Sequence, residues 1–335
     1  MKLRNIISIS IGVLVVLSSC SSMKNKKNVS SIENDTLVHS LPINYLKSLD
    51  DLDDSQKITE GSYKEVLELY EKLNYTPEAW QAGIREIPRV YLVWIGEKWG
   101  SSNSKEITTL EKKQLFFRGL APLVLHANEL ILKDRNRLEN IKTSIGEDTS
   151  IPEMDKIWIL KLAELYKVKT GEDKSMTSVI DELWQKVDII PVSLALGQSA
   201  VESGWGTSRF AAAGNAMYGQ WAWGENAMKP EEQRKGLGNY GVAAFGSLQE
   251  SVSAYMLNLN THNAYADLRS KRAELRKNGK KITGPVLAET LIRYSERGES
   301  YVKEIKSMME YNRLIPTDDA YLSQDSALYL IPAAN

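Results

Sequence analysis

The sequence predicts a mainly α-helical fold, and two kinds of observation carry that reading. Apolar residues recur at helical spacing over long stretches, and Pro and Gly residues punctuate the chain between them. Between residues 62 and 73, Val66, Leu67, Tyr70 and Leu73 fall three and four apart, as in an amphipathic helix. Residues 106–141 read as one long helix, with Leu110, Leu115, Leu120, Leu123, Leu130 and Leu138 among its apolar positions. Pro122 is placed either to kink that helix or to divide it. Two more helices are expected over 155–169 and 176–184, separated by Gly171-Glu172-Asp173. Val90 to Ile95, a β-branched and aromatic run after Pro88, suits a buried strand or an extended segment on helices, and periodicity does not choose between them.

The chain has 335 residues, enough for one large or two modest domains, and its 42% hydrophobic and 25% charged content is that of an ordinary folded protein. A formal net charge of -1 gives no electrostatic case for nucleic acid, but leaves room for an uncharged polymer such as a sugar chain. Eight Trp and fifteen Tyr against four Phe suit sugar stacking and core packing alike. The histidines are His39, His126 and His262, with no His-Glu-x-x-His, P-loop or Gly-x-Ser-x-Gly, so neither a metal nor any other cofactor is expected. His126 reads as a packed helix residue and His262 as a turn or groove-edge residue.

Lys2 and Arg4, an apolar run from Ile6 to Leu17 and then Leu17-Ser18-Ser19-Cys20 describe an export signal. The run of about a dozen residues is short for a permanent membrane span. Leu17-Ser18-Ser19-Cys20 resembles the lipobox of bacterial lipoproteins, which implies lipidation at Cys20, the single cysteine of the chain. The expected location is the cell envelope, lipid-anchored to a bacterial membrane, with the outer membrane facing the periplasm favoured. Residues 21–57 are polar and patchy and read as a tether.

Chemistry concentrates after residue 188. Asp188 and Pro191 suit the start of a helix running to Glu202, and Ser203-Gly204-Trp205-Gly206 suits its end. Glu202 then lies in the last turn, where the helix dipole and burial against Trp205 both raise a carboxyl pKa, as a general acid needs. Residues 195–208, which include Gln198, Glu202-Ser203-Gly204-Trp205-Gly206 and Thr207, resemble the acid-bearing motif of glycoside hydrolase family 73 glucosaminidases. Gly214-Asn215-Ala216-Met217-Tyr218-Gly219-Gln220-Trp221 resembles the family's next segment, and the blocks at 245–252, 255–260 and 294–302 follow in order. The resemblance is nearest to the Bax-type branch and extends over roughly residues 85–315.

That resemblance implies a lysozyme-like helical catalytic domain with a small β-hairpin lobe, placed here at 236–245, and preceded by a helical N-terminal region. The expected layout is 1–20 signal peptide, 21–57 tether, 58–175 N-terminal region, 176–315 catalytic domain and 316–335 tail. The implied activity is hydrolysis of the β-1,4 bond between N-acetylglucosamine and N-acetylmuramic acid in peptidoglycan, with Glu202 as acid and Tyr294 as the signature tyrosine. Asn215, Tyr218, Gln220, Trp221 and Trp205 are expected to bind substrate. For the second catalytic group Glu225 is the first candidate, Glu231 and Glu232 compete, and the substrate's own 2-acetamido group is an alternative nucleophile. A lytic transglycosylase and a non-catalytic peptidoglycan-binding lipoprotein are the rival readings, and no protein partner is named by any residue.

Overall fold

The computed structural model describes residues 53–60, 62–95, 108–146, 150–223, 227–231 and 240–332. Its elements in chain order are β1 (Lys57–Glu60), α1 (Tyr63–Lys72), α2 (Pro77–Gln81), β2 (Glu86–Ile87), β3 (Val90–Leu92), α3 (Thr109–Gly146), α4 (Glu153–Leu165), α5 (Met176–Lys186), α6 (Val192–Ser203) and α7 (Arg209–Gly214). After these come β4 (Trp221–Trp223), β5 (Tyr240–Val242), α8 (Leu248–Thr261), α9 (Ala266–Lys277), α10 (Gly284–Ala288), α11 (Glu299–Tyr311), β6 (Tyr321–Leu322) and β7 (Leu328–Pro332). The fold is mainly α with small sheets, as the helical periodicity predicts.

Helix starts follow local chemistry. Ser62 and Glu65 form a reciprocal capping box on α1, and Thr76, Ser175, Ser208 and Ser247 each cap the helix that follows them. Helix α3 stays in one piece through Pro122. A proline there withdraws the N–H that would bond the Arg118 carbonyl, and the Tyr75 hydroxyl donates to that carbonyl instead, at 3.3 Å. By length and composition α3 could cross a membrane, yet 67% of its most apolar window is buried inside the protein, so its composition is that of a core helix.

The sheets are where the sequence reading needs correction. Val90–Leu92 is a strand, and it does not pair with a sequence neighbour. The C-terminal strand β7 lies between β1 and β3, parallel to both, with Ile58 opposite Leu330 and Tyr91 opposite Tyr329. Likewise β6 pairs with β2. Residues 53–57, expected in the tether, form a 3-10 turn and enter β1, and the expected tail supplies the central strand of a sheet. Strands of two to five residues cannot be told from extended loop by periodicity, and pairing over such sequence separation leaves no local mark. A single continuous core runs from Tyr70 to Leu330.

Helix α6 sits at the centre of that core, with every residue from Val192 to Ala200 buried. It packs against α3, α10, α11 and the 3-10 turn Ile315–Asp319. Two glycines permit the close approach. A Cβ on Gly197 would press on Met309, and one on Gly284 would collide with Ser193.

The chain enters α6 through a buried irregular segment whose backbone is satisfied by side chains. Asn128 on α3 exchanges two hydrogen bonds with Ile190, and Asn260 donates to the Asp188 carbonyl. Arg135 donates to the carbonyls of Trp184 and Val187. Arg272, fully buried, donates to the carbonyls of Gln185, Lys186, Asp188 and Ile189 and to the Asn260 side chain. The counter-charge is Asp188, which receives a fork from Arg276 and lies near Arg135 and Arg272. The role expected of Asp188 as an opening residue of α6 is corrected accordingly. The Ser193 amide in the first turn of α6 belongs to Asp318, which accepts from the Ser193 N–H and hydroxyl and from the Gly284 N–H.

Burial opposes the Asp188 charge, but Arg276 and the neighbouring guanidiniums hold its carboxyl below the usual carboxylate range. Asp188→Ala therefore leaves buried guanidinium charge unpaired and is expected to lower unfolding free energy at pH 7 by about 3–5 kcal/mol. A depressed folded-state pKa gives stability that is present above the unfolded carboxyl value and lost as pH falls through the folded one. The deficit of the variant, measured by urea titration across pH, therefore shrinks toward acid.

Candidate functional site

Glu202 lies in the last turn of α6, as its spacing predicts, and Gly204 closes the helix in the left-handed conformation with φ +57°. Trp205 and Gly206 continue in left-handed geometry, with φ of 62° and 75°. The helix thus turns sharply away and leaves the Glu202 side chain facing a cluster of tyrosines. Burial raises the Glu202 pKa above the ordinary carboxyl value. A hydrogen bond from Tyr301 and the nearby Arg297 charge oppose the rise, while Glu304 adds to it. Gly219, at φ +58°, lies so close that a Cβ there would stand 3.7 Å from the carboxyl oxygen Oε2.

The cluster is ordered by ring contacts. Tyr294 stacks on Tyr301 with centroids 5.2 Å apart and planes within 6°, and Tyr265 tilts against Tyr294 at 5.7 Å. Tyr218 stacks on Tyr255 at 3.8 Å. Burial pushes the Tyr265 hydroxyl up to about 12, and pushes those of Tyr294 and Tyr301 well up, with the Glu202 charge adding to the rise in each case. These hydroxyls stay protonated as donors at any physiological pH.

Several expected site residues fall elsewhere. Tyr301, seven residues after the expected Tyr294, faces Glu202 as well and favours its ionised form. Tyr294 supports it by stacking and donates to the Tyr218 carbonyl at 3.4 Å. Trp205 packs against α3. Its left-handed backbone sends the ring onto Phe116 and Phe117 of α3, with the Lys113 ammonium 4.5 Å over its face. Asn215 is the left-handed cap of α7 and its amide donates to the Phe245 carbonyl, so it fixes a turn. Tyr218 is buried behind Gly219 and lines no open surface. Gln220 holds the base of the hairpin through its carbonyl, which accepts from Ala243. Its side-chain oxygen is buried and, among the described residues, unpartnered.

The hairpin itself is displaced from expectation. Tyr240–Val242 pairs antiparallel with Trp221–Trp223, so the tryptophan stretch expected as groove loop is its first strand. Trp221 stacks on Tyr240 at 4.9 Å, and Trp223 leaves more than a third of its surface to solvent. Glu231 is exposed. Glu225, Glu232 and Cys20 lie outside the described residues. His262 is a turn residue, its Nδ1 accepting from the Ala264 N–H, and His126 packs against Tyr91. Among the described residues no group of three His, Cys, Asp or Glu side chains is placed to hold a metal.

Sequence reasoning missed Tyr301, Gln198 and Tyr255. One signal was present: Gln198 lies one turn before Glu202 on the same helix face, the position from which a side chain meets its i+4 neighbour.

A partly buried acid with a raised pKa is poorly matched to the charged form, and removing the charge relieves that mismatch. Glu202→Gln is expected to raise unfolding free energy at pH 7 by about 0.5–2 kcal/mol, the usual yield of relieving a functional conflict. Because the folded pKa is raised, the penalty is absent below the unfolded carboxyl value and complete above the folded one. Thermal melts of the two proteins should therefore converge as pH falls through that interval.

Residues 177–314 match the glucosaminidase family, described as mannosyl-glycoprotein endo-beta-N-acetylglucosaminidase. Protein bax of Escherichia coli (strain K12) is 34% identical over 203 residues, which cover 60% of this chain and 70% of that protein. No solved structure matches the chain. The chain belongs to the family of Protein bax and carries a glucosaminidase domain, whose class of chemistry is glycoside hydrolysis.

Proposed function

We propose that the protein hydrolyses peptidoglycan at the β-1,4 bond between N-acetylglucosamine and N-acetylmuramic acid, with Glu202 as the general acid. The observation that carries this reading is a carboxyl kept protonatable by burial at the negative end of α6, within a glucosaminidase domain. In the reaction Glu202 gives its proton to the leaving glycosidic oxygen as the C–O bond breaks. The carboxylate that remains is met by the Tyr301 hydroxyl and the Arg297 charge. Trp223, exposed on the hairpin, offers a ring face to a sugar. Charge developing at the anomeric carbon needs a second group. Glu225, two residues beyond β4, is our first candidate, and the 2-acetamido oxygen of the substrate is the other.

Mass spectrometry of products from purified peptidoglycan tests the proposal. Reducing N-acetylglucosamine ends are expected, with the rate lowered about 10²–10⁴-fold in Glu202→Gln. The wild-type rate should decline as pH rises through the elevated Glu202 pKa, since only the protonated acid donates. Anhydro-muramyl ends would instead assign a lytic transglycosylase, and no cleavage by folded protein would assign a binding role.

We further propose that Cys20, the single cysteine, carries the lipid that holds the protein to a bacterial membrane, the outer membrane facing the periplasm being our choice. Labelled palmitate should enter the wild-type protein and be absent from Cys20→Ser, which should leave the membrane fraction. Equal labelling of both would refute the anchor.

A further inference from the structure

We propose that the backbone of Gly219 and Gln220 is a subsite for the 2-acetamido group of a sugar held beside Glu202. The inference deepens the reading of the site as a glycosidase and rests on it. It starts from the wall next to the acid. A Cβ on Gly219 would meet one atom within 4 Å, the Glu202 Oε2 at 3.7 Å. The space on this side of the carboxyl is otherwise open, and both residues are partly exposed. A ligand that reaches Oε2 from this side therefore passes over bare glycine backbone.

What that backbone offers follows from its hydrogen bonds. On the way in, the Met217 N–H donates to the Ser251 hydroxyl, and the Tyr218 carbonyl accepts from Tyr294. On the way out, the Gln220 carbonyl accepts from the Ala243 N–H at 2.8 Å. An antiparallel pair of this kind normally exchanges a second bond, from the Gln220 N–H to the Ala243 carbonyl. That bond is not made. Among the described residues, the N–H groups of Gly219 and Gln220 and the Gly219 carbonyl have no partner. Peptide groups need partners, and here solvent or a ligand supplies them.

The ligand group that matches is an amide. A 2-acetamido group has one N–H to give and one carbonyl to receive, like a peptide unit. A hydroxyl gives and receives at a single atom, whereas the free donors and acceptor here are spread over neighbouring peptide units. Holding the amide at this backbone fixes the sugar ring next to the carboxyl oxygen that the proposed reaction uses. A methyl on Gly219 would occupy that space, in ordinary contact with Oε2.

The test is an NMR titration of the full-length protein in detergent, labelled with ¹³C′-tyrosine and ¹⁵N-glycine. Only Gly219 and Gly241, the glycines that follow tyrosines, then give signals. The Gly219 signal is identified by its loss in Gly219→Ala. N,N′,N″-triacetylchitotriose is expected to move it and to leave buried Gly241 in place. Cellotriose, which carries hydroxyls where the amides stand, is expected to bind at least about tenfold more weakly, and Gly219→Ala to weaken triacetylchitotriose by about the same factor. No binding of triacetylchitotriose, binding with the Gly219 signal unmoved, an equal response to cellotriose, or wild-type affinity in Gly219→Ala would overturn the proposal. Should Gly219→Ala fail to fold, ¹³C′-glycine with ¹⁵N-glutamine reads Gln220 beside Gln198 alone, its signal identified by loss in Gln220→Met. The titration needs no turnover. A responding protein that cleaves nothing would refute only the hydrolase reading, and cleavage with Gly219 unmoved only the subsite.

Discussion

The site depends on one constraint: α6 is buried along almost its whole length, so no polar group on it can rely on water. The Ser193 amide of its first turn is met by Asp318, and its entrance is met by Asn128, Asn260 and Arg272. Its polar side chains are placed under the same demand. Ser199 donates to the Leu196 carbonyl, Ser203 to the Ser199 carbonyl, and Gln198 joins two tyrosines. Glu202 stands at the other end, where the backbone dipole and burial both favour the neutral acid. Three consecutive left-handed residues then take the chain out of the core. For Trp205 that conformation costs on the order of 1–3 kcal/mol. The packing of its ring on Phe116, Phe117 and Lys113 offsets that cost and ties the end of the acid's helix to α3.

Two carboxyls on either side of α6 show how surroundings decide the fate of a buried acid. Asp188 and Glu202 both lose water, and in both desolvation is the leading influence. Around Asp188 guanidiniums supply charge and hydrogen bonds, and the carboxylate wins. Around Glu202 the neighbours are mostly phenols, the Arg297 cation beside it is itself paired with Glu304, and the balance shifts toward the neutral acid. The first arrangement holds the entrance to the helix, and the second keeps a proton available at its exit.

Local chemistry was legible in the sequence and long-range pairing was not. The limits of α6, its glycine stop and the last-turn place of Glu202 follow from residues within a dozen positions of one another, and the structure has them. The heptad-like leucines of α3 gave its length to within a few residues. Pro122 did not divide that helix, because the missing hydrogen bond is supplied by Tyr75, over forty residues away, which no local pattern can announce. The family resemblance implies Trp205 and Asn215 as substrate-binding residues. In the structure Trp205 packs on α3 and Asn215 caps α7, each at a positive φ; residue type favours that conformation for asparagine and gives no sign of it for tryptophan.

The limits of the glucosaminidase match acquire a physical meaning from this. Residues 177–314 begin within α5 and stop before the 3-10 turn that carries Asp318. They therefore contain Glu202 and its tyrosines but omit the cap of α6, the α3 residues Asn128 and Arg135 that satisfy its entrance, and the Phe pair that receives Trp205. Helix α3 in turn is covered by β3, and β3 is held by β7 from the far end of the chain. The segment with the chemistry and the segment that precedes it share one core, so a change in the N-terminal helices reaches the acid through α6. The helical region ahead of the matched segment is thus part of what holds Glu202 in place, because without α3 the buried backbone at Ile190 and the exit at Trp205 would each lose the partner that makes their conformation tenable.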